Sequence, residues 1–382
     1  MKAETIAITG LGMVSSLGLN VINSCAAARA GIFRANELDY LSIFEEESGN
    51  MVPVTAHTLT GFAEGFQGVG RIIRLGDAAI ADLIGQANLS LNKFSKVGLF
   101  LNLSNSYFLQ FLGARERKEK DKIEFEVADG NDTIGIQAKK KHYERILSQR
   151  LCTLNKINIS DRFQKLYFDG HAGIVAVIRD TMDLLQRGEL DLCIVGGIDS
   201  YVDQEVLQAL YDVGVLKTVE NTRGFSPGEA AAFILIERYD NALQRNAKIM
   251  GTIESTSLKT ESTHRFSGNL PLGLALSDVI LHTLNGLDDR GKNTGLIIGD
   301  INGDEWKARE WGYAQARLPN NLLSCQLLYP AESFGDVGAA TGVLSICLGV
   351  QAFQRNYAKT DNILIWLSDY DGNKGAFYLR NV

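Results

Sequence analysis

An α/β fold is what this sequence predicts, on three observations. Apolar runs of strand length recur along the chain, as at 96–103, 190–197, 231–237 and 363–367. Longer stretches of helical character lie between them, the clearest opening at Gly170 and stopping at Gly188. The two kinds alternate, which is the pattern of strands joined by helical crossovers. At 382 residues the chain can bury a large core, as one domain or two fused halves.

Taken in order, the first strand covers 5–9 and runs into Gly10-Leu11-Gly12. A Gly-x-Gly after a first strand is part of a dinucleotide loop, but the third glycine of that fingerprint falls in the wrong place. The segment therefore reads as a tight turn between core elements, followed by a helix through 23–31. Residues 96–103 form the second buried strand. The run 115–122 interleaves charges of both signs within an insertion near 105–150, and reads as a solvated helix face or mobile cap. Leu166-Tyr167-Phe168-Asp169 is a short strand feeding the turn at Gly170, and the strand at 190–197 ends in Gly196-Gly197. The strand at 231–237 turns away at Arg238. The pattern restarts at Lys248 with a strand to Ile253, a helix near 274–284, a strand at 295–299, a helix at 338–350 and strands at 363–367 and 376–379. This restart divides the chain into 1–245 and 246–382, with a loosely shared order and no residue-level repeat.

The composition, 45% hydrophobic and 22% charged, is that of an ordinary globular protein. A net charge of −7 gives no basic footprint for nucleic acid. No apolar run reaches the roughly 18–20 residues of a membrane span. The first residues lead straight into a strand, so no signal peptide and a cytoplasmic location are expected. The five cysteines show neither paired nor metal-ligand spacing. Cys193 and Cys347 sit in apolar segments, where small buried thiols are common. No metal or cofactor is expected.

Four motifs carry a resemblance. Ile8-Thr9-Gly10-Leu11-Gly12-Met13-Val14-Ser15 is followed by Leu17-Gly18. Gly170-His171-Ala172-Gly173 opens a helix ahead of a strand ending in Gly-Gly. Arg223-Gly224-Phe225-Ser226-Pro227-Gly228-Glu229-Ala230 and Gly335-Asp336-Val337-Gly338-Ala339-Ala340-Thr341-Gly342 complete the set. In combination, and over nearly the whole chain, they resemble the β-ketoacyl-acyl-carrier-protein synthases. The resemblance implies a thiolase-like fold, a duplicated five-layer α-β-α-β-α sandwich. It also implies a dimer, homodimer or heterodimer with a ketosynthase, in which the edge strand at 166–169 pairs with its mate. Acyl carrier protein or acyl-CoA would be the partner, and the charged run at 115–122 a weaker candidate surface for it.

The resemblance places His171 where the family has its nucleophilic Cys, Asn302 at the first catalytic His and Asp336 at the second. The family's Lys falls on Ala331, and its glycine-rich gate on 370–375. Phe225, Glu229, Gly335 and Gly372 would surround the pocket. A thiolate is polarizable and leaves well, whereas acyl-imidazoles hydrolyse readily. A carboxylate at 336 would repel both a malonyl carboxylate and an enolate, although Asn302 retains an oxyanion donor. The expected protein is therefore ketosynthase-like but non-condensing: an acyl- or carrier-protein-binding, chain-length-factor-like partner in fatty-acid or polyketide-type metabolism. One alternative is an acyl-thioester hydrolase or acyltransferase built on a His171–Asp336 pair, with water, Ser200 or Ser226 as nucleophile. Another is a self-associating scaffold in which the pair merely satisfies itself inside a retired pocket. Expected locally are a direct His171–Asp336 hydrogen bond, a raised imidazole pKa, and a strained turn aiming the His171 N–H into the pocket. His57, His142, His264 and His282 read as surface or satisfied core.

Overall fold

The computed structural model describes residues 5–45, 49–88, 90–111, 115–119, 122–126, 133–285, 287 and 293–382. Its strands are β1 (Ile6–Ser15), β2 (Asn36–Glu45), β3 (Asn50–Ala56), β4 (Val97–Asn102), β5 (Arg115–Glu119), β6 (Lys122–Glu126), β7 (Gln164–Tyr167), β8 (Leu192–Ser200), β9 (Glu229–Arg238), β10 (Gly251–Thr260), β11 (Leu296–Gly299), β12 (Gln326–Leu328), β13 (Asn362–Ser368) and β14 (Asn373–Arg380). Its helices are α1 (Val21–Arg29), α2 (Gly68–Ala87), α3 (Thr133–Leu154), α4 (Gly170–Gln186), α5 (Gln204–Asp212), α6 (Tyr239–Gln244), α7 (Leu274–Asn285), α8 (Glu305–Gln315), α9 (Asn320–Leu323), α10 (Ala331–Phe334) and α11 (Thr341–Gln354).

Ten strands join in the order β12-β11-β13-β14-β10-β1-β9-β8-β4-β7. Cut between β10 and β1, this order falls into two sets with the same layout. In the first, β1, β9 and β8 run antiparallel in turn, and β4 and β7 continue parallel to β8. In the second, β10, β14 and β13 run antiparallel in turn, and β11 and β12 continue parallel to β13. The duplication that no residue pattern carries is thus present in the topology. The seam between the sets is short, pairing Ile6–Ile253, Ala7–Thr252 and Ile8–Gly251.

Helix burial separates the layers. α11 is buried from Thr341 through Phe353, and α4 through most of its first half. Helices that are apolar all round belong in the middle of a fold. Both touch strands of both sets: α4 lies against β4, β8, β13 and β14, and α11 against β8, β9 and β13. α2 instead buries one stripe, Ile72, Leu75, Gly76, Ala79, Ile80 and Leu83, against β1, β8 and β9. α7 covers β10, β13 and β14 on the other side. This is the thiolase-like five-layer arrangement. Among the described residues no helix is long and apolar enough to cross a membrane, none of the His, Cys, Asp and Glu residues group so as to hold a metal ion, and the five cysteines are unpaired, four of them buried.

Three expectations need correction. Gly10 and Gly12 do not form a turn but lie inside β1, which runs on to Ser15. The reason is the approach of α2, whose backbone a side chain at Gly12 would strike. The charged run at 115–122, of which 120 and 121 lie outside the described residues, is strand where it is described: β5 and β6 pair antiparallel, and α3 begins at Thr133. The short strand before Gly170 covers Gln164–Tyr167, two residues earlier than expected, and is an edge of the sheet.

The close approach at Gly12 yields a paired test. A Cβ there would lie 2.1 Å from the Ala79 carbonyl oxygen and 2.5 Å from the Leu83 nitrogen, both backbone atoms. Gly12→Ala should push α2 off the sheet and cost about 2–3 kcal/mol in urea unfolding. Gly85→Ala, in α2 with open space around it, should stabilise by roughly 0.5–1 kcal/mol.

Candidate active site

The turn into α4 places His171. Gly170 precedes it with φ 60°, a conformation that suits glycine. A Cβ on Gly170 would meet the Asp369 carboxylate at 2.0 Å. The backbone unusual at this turn is therefore that of Gly170, and not of His171 as expected. Asn102, at the end of β4, donates to the Gly170 carbonyl at 2.6 Å and fixes the turn from below. The N–H of His171 is not left facing an open pocket. It donates to Asp369 Oδ2 at 2.6 Å.

The imidazole lies between two carboxylates. Its Nε2 meets Asp336 Oδ1 at 2.8 Å, and its Nδ1 is 3.9 Å from Asp369 Oδ2. The His171 and Asp336 side chains are each 1% exposed. Asp336 also accepts from the Gly338 N–H at 2.9 Å and from the Asn302 amide. That same amide reaches the Tyr370 hydroxyl at 2.8 Å. Backbone bonds from Asp336 to Ser226 and from Gly228 to Asp336 hold the carboxylate's loop against the Phe225–Glu229 segment. The expected trio His171, Asn302 and Asp336 is thus one connected group.

Further buried charges surround it. Lys307, from α8, binds Asp300 at 2.9 Å and lies 4.8 Å from the Tyr370 ring centre. Lys374, from β14, meets Glu310 at 2.9 Å and donates to the Asp369 carbonyl at 3.0 Å. Ala331 supplies no cation, but Lys307 brings one in from another element. Sequence reasoning missed Asp369, Lys307 and Lys374. Lys307 and Glu310 stand in the strongly polar stretch 304–310, which gives no local sign of burial. Asp369 offered a signal, a carboxylate directly after a fully apolar strand.

Burial alone would lower the His171 pKa, but the Asp336 carboxylate overcomes it, and the imidazole is raised to about 9. Burial would raise Asp336, but the attraction of His171 and their hydrogen bond, with Lys307 adding to it, hold that carboxyl well below the usual range. Asp199 is pushed up to about 7 by burial, against hydrogen bonds from the Ala339 and Ser200 N–H groups. Asp369 is also raised by burial, the positive His171 opposing.

Aromatic rings close the surroundings. Phe108, Tyr201, Phe225 and Tyr370 pack at centroid separations of 5.1–6.3 Å. Tyr201 and Tyr370 lie 6.4 and 6.0 Å from the imidazole. Two large cavities flank the group. One, of about 820 Å³, has Asn302, Ser226 and Ala331 on its wall. The other, of about 460 Å³, is lined by Phe108, Asp199, Ser200 and Tyr201. His171 is on the wall of neither.

The remaining expected residues sort as follows. Phe225 belongs to the aromatic cluster, and Gly335 ends α10 immediately before Asp336. Glu229 faces elsewhere, binding Arg71, the Leu59 N–H and the Ser200 hydroxyl. Gly372 closes the β13–β14 turn with φ 103° and packs against Glu261. The Ser200 hydroxyl is therefore committed to Glu229. Of the other histidines, His57 departs from expectation: it is buried, yet its Nδ1 has no hydrogen-bond partner among the described residues. Burial lowers its pKa to about 4, so the ring is neutral.

No protein-family model matches the chain. A stretch of 188 residues, 45% of the chain, is 24% identical to the reducing polyketide synthase rdc5 of Metacordyceps chlamydosporia. It covers 8% of that protein, so the chain spans a small part of its relative's length. Among solved structures, a type II polyketide synthase acyl-carrier protein in complex with its ketosynthase bound to the hexaketide (AntDE:AntF) superposes with TM-score 0.74 at 14% identity, covering 100% of both chains. The ishigamide ketosynthase/chain length factor gives TM-score 0.74 at 16% identity, again over 100% of both. A β-ketoacyl synthase from Burkholderia phymatum gives 0.71 at 14% identity over 99% of both. At these identities the likeness establishes the fold, which is that of the ketosynthases.

The charge pattern fixes a pH response. The folded His171 pKa of about 9 lies above its ordinary 6.5. Its stabilising contribution is complete below pH 6.5 and is lost as pH rises through 9, on the order of 3 kcal/mol. Asp199, raised from 3.8 to about 7, has the same sign and acts earlier, between those two values. The melting temperature should fall steadily from pH 6.5 to 9.5, and His171→Gln should flatten the part above pH 8. A wild-type profile level across this window would contradict the assignment. Asp336→Ala, which strands a buried imidazole, should cost about 3–5 kcal/mol in denaturant unfolding.

Proposed function

We propose that this chain is a non-condensing subunit of ketosynthase fold that pairs with an active ketosynthase in polyketide-type metabolism, as a chain length factor does. The observation that carries this reading is the enclosure of His171. Acyl transfer at this position needs a nucleophile open to substrate and a free N–H to receive an oxyanion. Here the N–H is bonded to the Asp369 carboxylate and the ring is enclosed by Asp336 and Tyr370. The ishigamide ketosynthase/chain length factor supports the choice of partner. So does the free edge of β7, whose unpaired backbone groups need a cover.

The hydrolase alternative is disfavoured by protonation. A general base needs a lone pair facing its proton donor. With a pKa of about 9, His171 is a cation at neutral pH, and both ring nitrogens face carboxylates.

Co-expression with an active type II ketosynthase should give a stable heterodimer by light scattering. The heterodimer should release CO₂ from malonyl carrier protein and extend the acyl chain. The chain alone should do neither. Extension by the purified chain alone would refute the proposal. His171→Cys alone should stay inactive, because Asp369 still holds the residue-171 N–H and Asp336 still occupies a catalytic imidazole's place. Groups that act as a unit are not restored one at a time.

A further inference from the structure

On the far side of the α1–α11 contact lies a groove of about 500 Å³, lined by Ile22, Cys25, Ala26, Arg29, Ala30, Gln351, Arg355 and Tyr357. None of these residues belongs to the buried group around His171. We propose that this groove is a binding site for a phosphate-bearing small molecule.

Four observations support it. Arg29 and Arg355 both line the groove, and among the described residues neither forms an ion pair. The Arg29 guanidinium is stacked on the Tyr357 ring, 4.3 Å from its centre, which fixes its direction. Both guanidiniums act on the Tyr357 hydroxyl, lowering a pKa that burial first raises, to a net of about 12, so the phenol stays protonated and can donate. Gln351 is 7% exposed and lines the groove. Its side-chain amide is not among the fully enclosed unpaired groups of the described residues, so it is reached from the groove and can bond to what sits there.

Two simpler readings fail. Arginines at helix C-termini often serve the terminal carbonyls. Here the chain already satisfies them: Ala30, Gly31 and Ile32 donate back to Ala26, Ala28 and Ala27, and Arg355, Asn356 and Tyr357 to Gln351, Phe353 and Ala352. A reactive cysteine is excluded as well. Burial, with Asp82 adding to it, pushes the Cys25 thiol far up, so it is not a thiolate. Asp82 itself is occupied, accepting from the Val21 N–H at 2.7 Å and the Met13 N–H at 3.0 Å. The groove therefore offers two guanidiniums, a phenol and an amide, with no carboxylate among its lining residues. Two guanidiniums suit the spread charge of a phosphate better than one carboxylate, and the exposed Ile22 leaves an apolar margin for the rest of the ligand.

The test is calorimetric titration of the full chain with inorganic phosphate, against sodium acetate at matched ionic strength. Saturable binding of phosphate and none of acetate is expected. Arg29→Gln and Arg355→Gln should each weaken binding about tenfold, and Gln351→Leu should weaken it while leaving both charges in place. The two arginine variants alter exposed side chains, so their unliganded melting temperatures should match the wild type and exclude misfolding as the cause. Absence of phosphate binding, equal binding of acetate, or binding undiminished in the arginine double variant would overturn the proposal.

Discussion

A cation shut between two carboxylates is what the centre of this molecule depends on. Once His171 is removed from water it must be either neutral or paired. Asp336 settles the choice, and both Asp336 and Asp369 then take further donors. Asp336 takes the Gly338 N–H and the Asn302 amide, while Asp369 takes the His171 N–H. Lys307 and Lys374 complete the balance from α8 and β14. His171 and Asp199 belong to the stretch that carries the strand set from β1 to β7, and Asp336, Asp369 and Lys307 to the stretch that carries the other set, so this group joins the two sets. Its strength is conditional: an ion pair so enclosed resists loss of a partner far more than it adds net stability over an apolar equivalent.

The closure around His171 follows from a few positions. A thiol at 171 would carry no charge to be matched, and carboxylates at 336 and 369 would then repel each other. With an imidazole there, both become useful. Tyr201 and Tyr370 lie beside the ring, and Asn302, bonded to both Asp336 and the Tyr370 hydroxyl, is on the wall of the larger cavity. The fold is that of the ketosynthases, and the residues around His171 form a buried, hydrogen-bonded polar group.

Much of this was legible in the sequence, for identifiable reasons. Strands such as 363–367 are apolar throughout because helices cover both faces, and such runs are easily seen. That His171, Asn302 and Asp336 meet was legible because the spacing of the motifs that carry them can be read along the chain. What stayed hidden depends on tertiary contact. Gly12 looked like a turn residue because nothing local reveals that α2 crosses there. Lys307 and Glu310 drew no reading because their sequence neighbours are polar, and only the folded structure shows that both are buried. The repeat of five strands was invisible because topology constrains the pattern of burial and leaves residue identity free.

The two ends of the long sheet are unequal. At one end β12 has three residues, two of them exposed, too short to template another strand. At the other end β7 has four residues, all of them half-buried, with α3 packed against it. Backbone pairing can offer another chain only a few bonds at either end. A partner docked at one of these ends would have to draw most of its hold from the side chains around the edge.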